Sequence, residues 1–132
     1  VSVDFYKQDN EYKIYNNKKQ KTIDLNIFEY LKIIQDNGAG ELFINSVNRD
    51  GKGNGYEIDF YNKISESLSI PIIACGGAGD WYDMYDIFSK TEVDAVAAAN
   101  IFHYRDQSVF LAKKFLFDKK INVRMPDLLK IK

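Results

Sequence analysis

Residues 70–79, Ile-Pro-Ile-Ile-Ala-Cys-Gly-Gly-Ala-Gly, constrain the fold of this chain more than any other stretch. A short, wholly apolar run reads as a buried strand, and it opens directly onto a glycine turn. An amphipathic segment, 80–89, follows at once. A buried strand leading through glycines to a helix start suits an anion. Glycine lets a phosphate approach the backbone, and the first turn of a helix carries N–H groups without intrahelical partners. A second apolar run, 93–98, meets another short turn at Ala99-Asn100. Phosphate sites built after two successive strands are frequent in (β/α) barrels.

The same alternation extends along the chain. Apolar strands are expected at 1–5, 41–45, 70–74 and 94–98. Helices are expected at about 26–37, from about 58, after 80, and at 108–118. The first helix places Ile27, Leu31 and Ile34 at i, i+4 and i+7, and Asn37-Gly38 ends it. The second has Tyr61, Ile64 and Leu68 on one stripe, the third Trp81, Met84, Tyr85 and Phe88. The last is expected to bury Leu111 and Phe115. Residues 12–15 suit a hairpin strand, followed by a lysine-rich turn at 18–21. A turn through Phe102-His103 precedes the last helix. Strands alternating with helices imply an α/β fold with a parallel sheet, and apolar runs without alternation imply cover on both faces. Four such units form either an open sheet or half of an eight-stranded barrel. The chain begins at Val1 inside an expected strand, which favours half a barrel and a piece of a longer protein.

Composition narrows the function classes. A net charge of −1 gives no reason to expect nucleic acid or an anionic membrane as partner. No apolar run reaches membrane-spanning length. The single cysteine, Cys75, excludes an intrachain disulfide and fits a reducing, cytoplasmic compartment. Neither Cys/His metal spacing nor a nucleophile-elbow pattern is present, and no metal or cofactor is expected.

Few residues qualify for chemistry. Asp4 ends an apolar strand, where a barrel would point it at the active-site mouth as a general acid or base; a salt-bridged strand end is the other reading. Asp50-Gly51 is first a turn signal, and Arg49 either holds a phosphate or is solvated. Three glycines at 76, 77 and 79 ask for close approach of a phosphate or for a tight crossing of helix and strand. His103, the only histidine, reads as a packed or capping residue, and Cys75 as a small core residue.

These segments together resemble the family of the cyclase subunit of imidazole glycerol phosphate synthase (HisF), in its C-terminal half. The resemblance rests on Gly38-Ala-Gly-Glu41, Asn45-Ser-Val-Asn-Arg-Asp-Gly51, Gly55-Tyr56, residues 70–79, Asp94-Ala95, Ile101-Phe-His103 and Ile121-Asn-Val-Arg124, in order and at family-like spacing. It implies a (β/α)₈ TIM barrel, with residues 1–124 as strands five to eight and 125–132 as a tail. It implies an ammonia-using lyase of histidine biosynthesis. Ammonia would come from a partner glutaminase through the barrel and react with a phosphoribulosyl formimino nucleotide. The products would be imidazole glycerol phosphate and an aminoimidazole carboxamide ribotide. Asp4 would be the catalytic acid of this half. Asp50, Gly51, Gly77, Ala99 and Asn100 would bind one substrate phosphate. The second aspartate and the other phosphate site would lie in an N-terminal half-barrel, so this chain alone would be inactive.

The chain departs from the family pattern in places. Asn45 stands where a threonine is usual, Asn48 replaces an acid, and Asn100 replaces a serine. Asn17 and Lys18 take the place of a serine–glycine pair. Asparagine still offers a donor to a phosphate. These departures resemble a branch that works with a glutaminase to amidate sugars for surface polysaccharides. A phosphate-binding half-barrel scaffold without activity is the non-enzyme alternative.

Overall fold

A computed structural model describes residues 1–104 and 108–127. Strand β1 (Ser2–Gln8) turns back through β2 (Glu11–Asn16) and β3 (Lys21–Asn26), then α1 (Ile27–Asp36) leads to β4 (Leu42–Ser46). Helix α2 (Ile58–Ser65), β5 (Ile72–Cys75), α3 (Trp81–Lys90) and β6 (Ala95–Ala97) follow. One helical turn, α4 (Ile101–Tyr104), and α5 (Val109–Asp118) complete the described chain. No helix among the described residues is long and apolar enough to cross a membrane. Of the expected tail at 125–132, residues 128–132 lie outside the described residues.

The strands form one sheet in the order β3-β2-β1-β4-β5-β6. β1, β4, β5 and β6 are mutually parallel, while β1, β2 and β3 form an antiparallel meander. β1 pairs with β2 from Asp4↔Tyr15 to Gln8↔Glu11. The connecting residues Asp9 and Asn10 have φ of 50° and 64°, the positive pair that a two-residue hairpin turn needs. The lysine-rich turn does not lead straight into a helix as expected: it feeds β3, whose pairing with β2 shifts register between Lys13 and Ile14.

The four parallel strands follow chain order across the sheet. Right-handed crossovers then put every connecting helix on the same side. The expectation of cover on both faces is therefore corrected. Val3, Phe5, Leu42, Ile44, Ile72 and Ala74 are buried against the helices. The alternate residues Asp4, Phe43, Asn45, Ile73, Cys75, Ala95 and Ala97 are only half-buried, on the opposite face. The burial follows the two-residue pleat even though the residue types do not.

Phe5 and Phe60 stack at 4.0 Å between ring centroids, with Tyr12, Phe28 and Tyr61 around them. This cluster locks the hairpin to α2. Asn26 caps α1 by accepting the N–H groups of Phe28 and Glu29, and Gly38 ends it at φ +89°. In α5 the buried residues are Ala112 and Leu116, not Leu111 and Phe115. Four consecutive apolar residues, 109–112, make the stripe ambiguous by period. Leu111 is 40% exposed, and Phe115 packs on Trp81 and Tyr82 instead. Phe102 and His103 lie in α4 rather than in an open turn.

Candidate functional site

The C-terminal ends of β4, β5 and β6 and the middle of β1 surround one cavity of about 360 Å³. Asp4, Asp50, Gly51, Gly77, Ala99 and Asn100 all line it, together with Asn45, Cys75 and Gly76. Residues up to 96 positions apart in sequence thus converge because parallel strands end at one rim.

Asp4 holds the β1 side. Its Oδ1 accepts from Nδ2 of Asn45 at 3.2 Å, and its Oδ2 accepts from Nδ2 of Asn17 in the turn between β2 and β3. Both carboxylate oxygens therefore face amide donors, and the carboxylate's position is fixed from the neighbouring strand and from the hairpin. The other end of the Asn45 amide, Oδ1, is buried without a partner among the described residues.

The glycine turn forms the opposite wall. Gly76 and Gly77 have φ of 88° and 111°, a region that side chains disfavour. A Cβ on Gly76 would lie 2.7 Å from the Ser46 carbonyl oxygen. A Cβ on Gly77 would collide with the Gly55 carbonyl, and the Gly55 N–H donates to the Gly77 carbonyl at 2.8 Å. Glycine is required at 77 by this crossing of two loops, a contact that neither reading of the glycine run anticipates, the approach of a phosphate or the crossing of a helix and a strand. The backbone of Gly77 still lines the cavity. The N–H groups of Gly51, Gly77 and Asn100 donate to no backbone carbonyl among the described residues.

The start of α3 is not the anion site that the glycine-to-helix pattern suggests. Asp80 Oδ1 accepts the N–H groups of Tyr82 and Asp83 at 2.8 and 3.2 Å. Asp83 Oδ2 accepts those of Gly79 and Asp80 at 2.8 and 3.3 Å. This capping box commits the N–H groups and adds two carboxylates. Donors on the cavity wall come instead from the turns. A Cβ on Gly51 would lie 3.0 Å from Nδ2 of Asn100, so the amide of Asn100 reaches across to the Asp50-Gly51 loop.

Cys75 is not a core residue. It is half-buried in the cavity lining, where burial pushes its thiol up and the negative charges of Asp50 and Asp4 push it further. Tyr61, beneath it, joins β4 to β5: its hydroxyl donates to the Ile44 carbonyl at 2.8 Å and accepts the Cys75 N–H at 3.2 Å. Burial raises the phenol of Tyr61 far above its usual range, so it acts only as a neutral tie. His103 is exposed on α4 and outside the cavity lining.

Arg49 neither enters the cavity lining nor stands free in solvent. Its Nε donates to Glu57 Oε2 at 2.7 Å, and its Nη1 donates to the carbonyls of Asn54 and Gly55 at 3.0 and 3.1 Å. Glu57 also accepts from Lys7 Nζ at 2.8 Å and from the Tyr12 hydroxyl at 3.3 Å. Burial disfavours the charged carboxyl, but the Lys7 and Arg49 hydrogen bonds outweigh it and hold Glu57 below its ordinary value. Sequence reasoning missed Glu57, since an acid just before a helix is unremarkable. Asn48 faces the Lys7 backbone: it accepts the Lys7 N–H and donates to the Lys7 carbonyl. An ionised carboxylate could accept but not donate there.

A profile of the histidine biosynthesis protein family matches residues 1–108. The chain belongs to this family. The imidazole glycerol phosphate synthase subunit HisF of Chlorobium limicola is 39% identical over 125 residues, 95% of this chain and 50% of the relative. The HisF subunit of Nitrosopumilus maritimus is 44% identical over 112 residues, 85% of this chain and 41% of the relative. A putative imidazole glycerol phosphate synthase subunit of Vibrio vulnificus is 36% identical over 125 residues, 95% of this chain and 46% of the relative. The chain spans about half the length of the curated relatives it matches. It is a HisF-related histidine biosynthesis protein, with the alternating parallel strands and helices that half of such a barrel requires.

Proposed function

We propose that this chain is the C-terminal half, residues 1–124, of a cytoplasmic HisF-type cyclase. In this reading it joins an N-terminal half-barrel and takes ammonia from a glutaminase partner. Asp4 moves protons at the reacting carbon. Asp50, Gly51, Gly77, Ala99 and Asn100 hold one phosphate of the phosphoribulosyl formimino nucleotide. The observation that carries the reading is that all six residues line one cavity at the strand ends, with Asp4 on one side and the turns on the other. Backbone N–H groups of Gly51, Gly77 and Asn100 and the Asn100 amide supply phosphate donors, as anion recognition by turns requires. The two amides on Asp4 orient it for general acid–base work.

A second reading is favoured by those same amides. Asn45, which stands where the family pattern has threonine, touches the proposed acid directly. A changed contact at the reacting end fits a changed electrophile, such as a sugar amidated with the same channelled ammonia. The deciding experiment is ammonia-dependent turnover of the phosphoribulosyl formimino nucleotide by this chain reconstituted with an N-terminal half, followed by absorbance. Turnover supports the cyclase reading. A folded, phosphate-binding reconstituted protein without turnover argues against the cyclase: ammonia-dependent amidation of a sugar then favours the amidation reading, and its absence favours the inactive scaffold. Loss of both phosphate binding and turnover overturns the site.

A further inference from the structure

The charged cluster outside the cavity joins the two working parts of the site. Glu57 is 5% exposed and precedes α2. One of its oxygens takes Lys7, three residues beyond Asp4 on β1, and the other takes Arg49, next to Asp50. Arg49 in turn grips the carbonyls of Asn54 and Gly55, and Gly55 is bonded to Gly77. Asn48 repeats the link to the Lys7 backbone. One buried carboxylate thereby ties the strand of the proposed acid, the Asp50-Gly51 loop and the glycine turn into one unit.

We propose that Glu57 is a positioning residue: through Lys7 and Arg49 it sets the distance between Asp4 and the phosphate-holding turns without touching substrate. The proposal rests on the phosphate reading of the cavity given above. Its physical basis is that donors aimed at an anion work only when their own positions are fixed by a supporting layer. A carboxylate that accepts from two cations in a largely desolvated place is a rigid support, because either cation leaving would strand a buried charge.

The test uses the full chain and two variants. Glu57→Gln removes the charge at constant shape. Arg49→Lys keeps a cation but loses the fork that reaches Asn54 and Gly55. Two readouts are taken: amide hydrogen exchange at Gly55, and the affinity for inorganic phosphate by calorimetry. Gly55 exchange is expected to accelerate about ten-fold in both variants, and phosphate affinity to weaken about ten-fold, the effect of one lost charge-assisted hydrogen bond. A structural role alone would lower the melting temperature and leave phosphate affinity of the folded protein unchanged. That result overturns the proposal, as does unchanged Gly55 exchange. If Glu57→Gln does not fold, Arg49→Lys decides by the same two readouts. Wild-type protein that binds no phosphate, with Gly55 exchange still accelerated in the variants, would defeat the phosphate reading and leave the mechanical link standing.

Discussion

Two asparagine amides converge on one carboxylate at the cavity wall, and that contact sets what Asp4 can do. Asp4→Asn in the reconstituted barrel should lower turnover about 100-fold or more, the usual worth of a positioned proton donor or acceptor. Phosphate affinity should stay within about two-fold, because the donors to phosphate lie on other loops. Steady-state kinetics beside phosphate calorimetry checks both halves. Glycines make a second residue-scale contrast. Gly38 and Gly77 both have positive φ, but a Cβ at 38 meets open space and at 77 meets the Gly55 backbone. Gly38→Ala should cost about 1 kcal/mol and Gly77→Ala at least about 3, since φ strain and backbone collision add. Urea unfolding of the two variants measures the difference. Glu57 gives the pH dependence. Its carboxyl is held below its ordinary value, so its contribution to stability is present above the unfolded-state value of 4.5 and disappears as pH falls through the lower folded-state value. The Lys7 ammonium is raised by its hydrogen bond to Glu57, so its contribution is intact below 10.5 and disappears only above that. The gap in melting temperature between wild type and Glu57→Gln should therefore be flat through neutral pH and close in acid.

Among the elements, α3 carries the clearest expectation. Its capping box satisfies the first turn internally, so Asp80→Ala should cost about 1 kcal/mol in stability while leaving phosphate affinity unchanged. A large loss of affinity would put the anion back at that helix start. The element scale also separates what the chain makes legible from what it hides. Strand and helix alternation could be read because β4 and β5 are apolar and α1 to α3 have periodic stripes bounded by Asn26, Gly38 and Asp80. The site residues Asp50, Gly51, Gly77, Ala99 and Asn100 could be singled out because they sit in turns after strands, and Asp4 because it stands near the end of the expected strand 1–5, although β1 runs on past it to Gln8 through its pairing with β2. β3 was hidden because Lys21, Thr22 and Asp24 are polar, and only pairing with β2 makes them a strand. The buried stripe of α5 was hidden by its run of apolar residues. Glu57 and Asn48 were hidden because their partners, Lys7 and Arg49, come together only across the hairpin and the loop. The commitment of α3's N–H groups depends on side-chain directions of Asp80 and Asp83 that spacing alone leaves open.

The molecule as a whole is a sheet with a helical coat on one face and a lining on the other. Neighbouring residues of one strand therefore carry different burdens. Ile72 faces the coat and is 3% exposed, whereas Ile73 faces the lining and is half-buried. Ile72→Ser should cost about 3 kcal/mol, and Ile73→Ser less than about 1 in the chain alone. After reconstitution with an N-terminal half the cost at 73 should grow, because the lining then becomes the interior of a closed barrel. Denaturant melts of the chain with and without the other half would register this change. The same geometry bears on how such a chain can diverge. Along each strand, one residue answers to foldedness and the next to chemistry. A lineage can therefore exchange a group beside Asp4, such as the amide of Asn45, while selection on the coat proceeds separately.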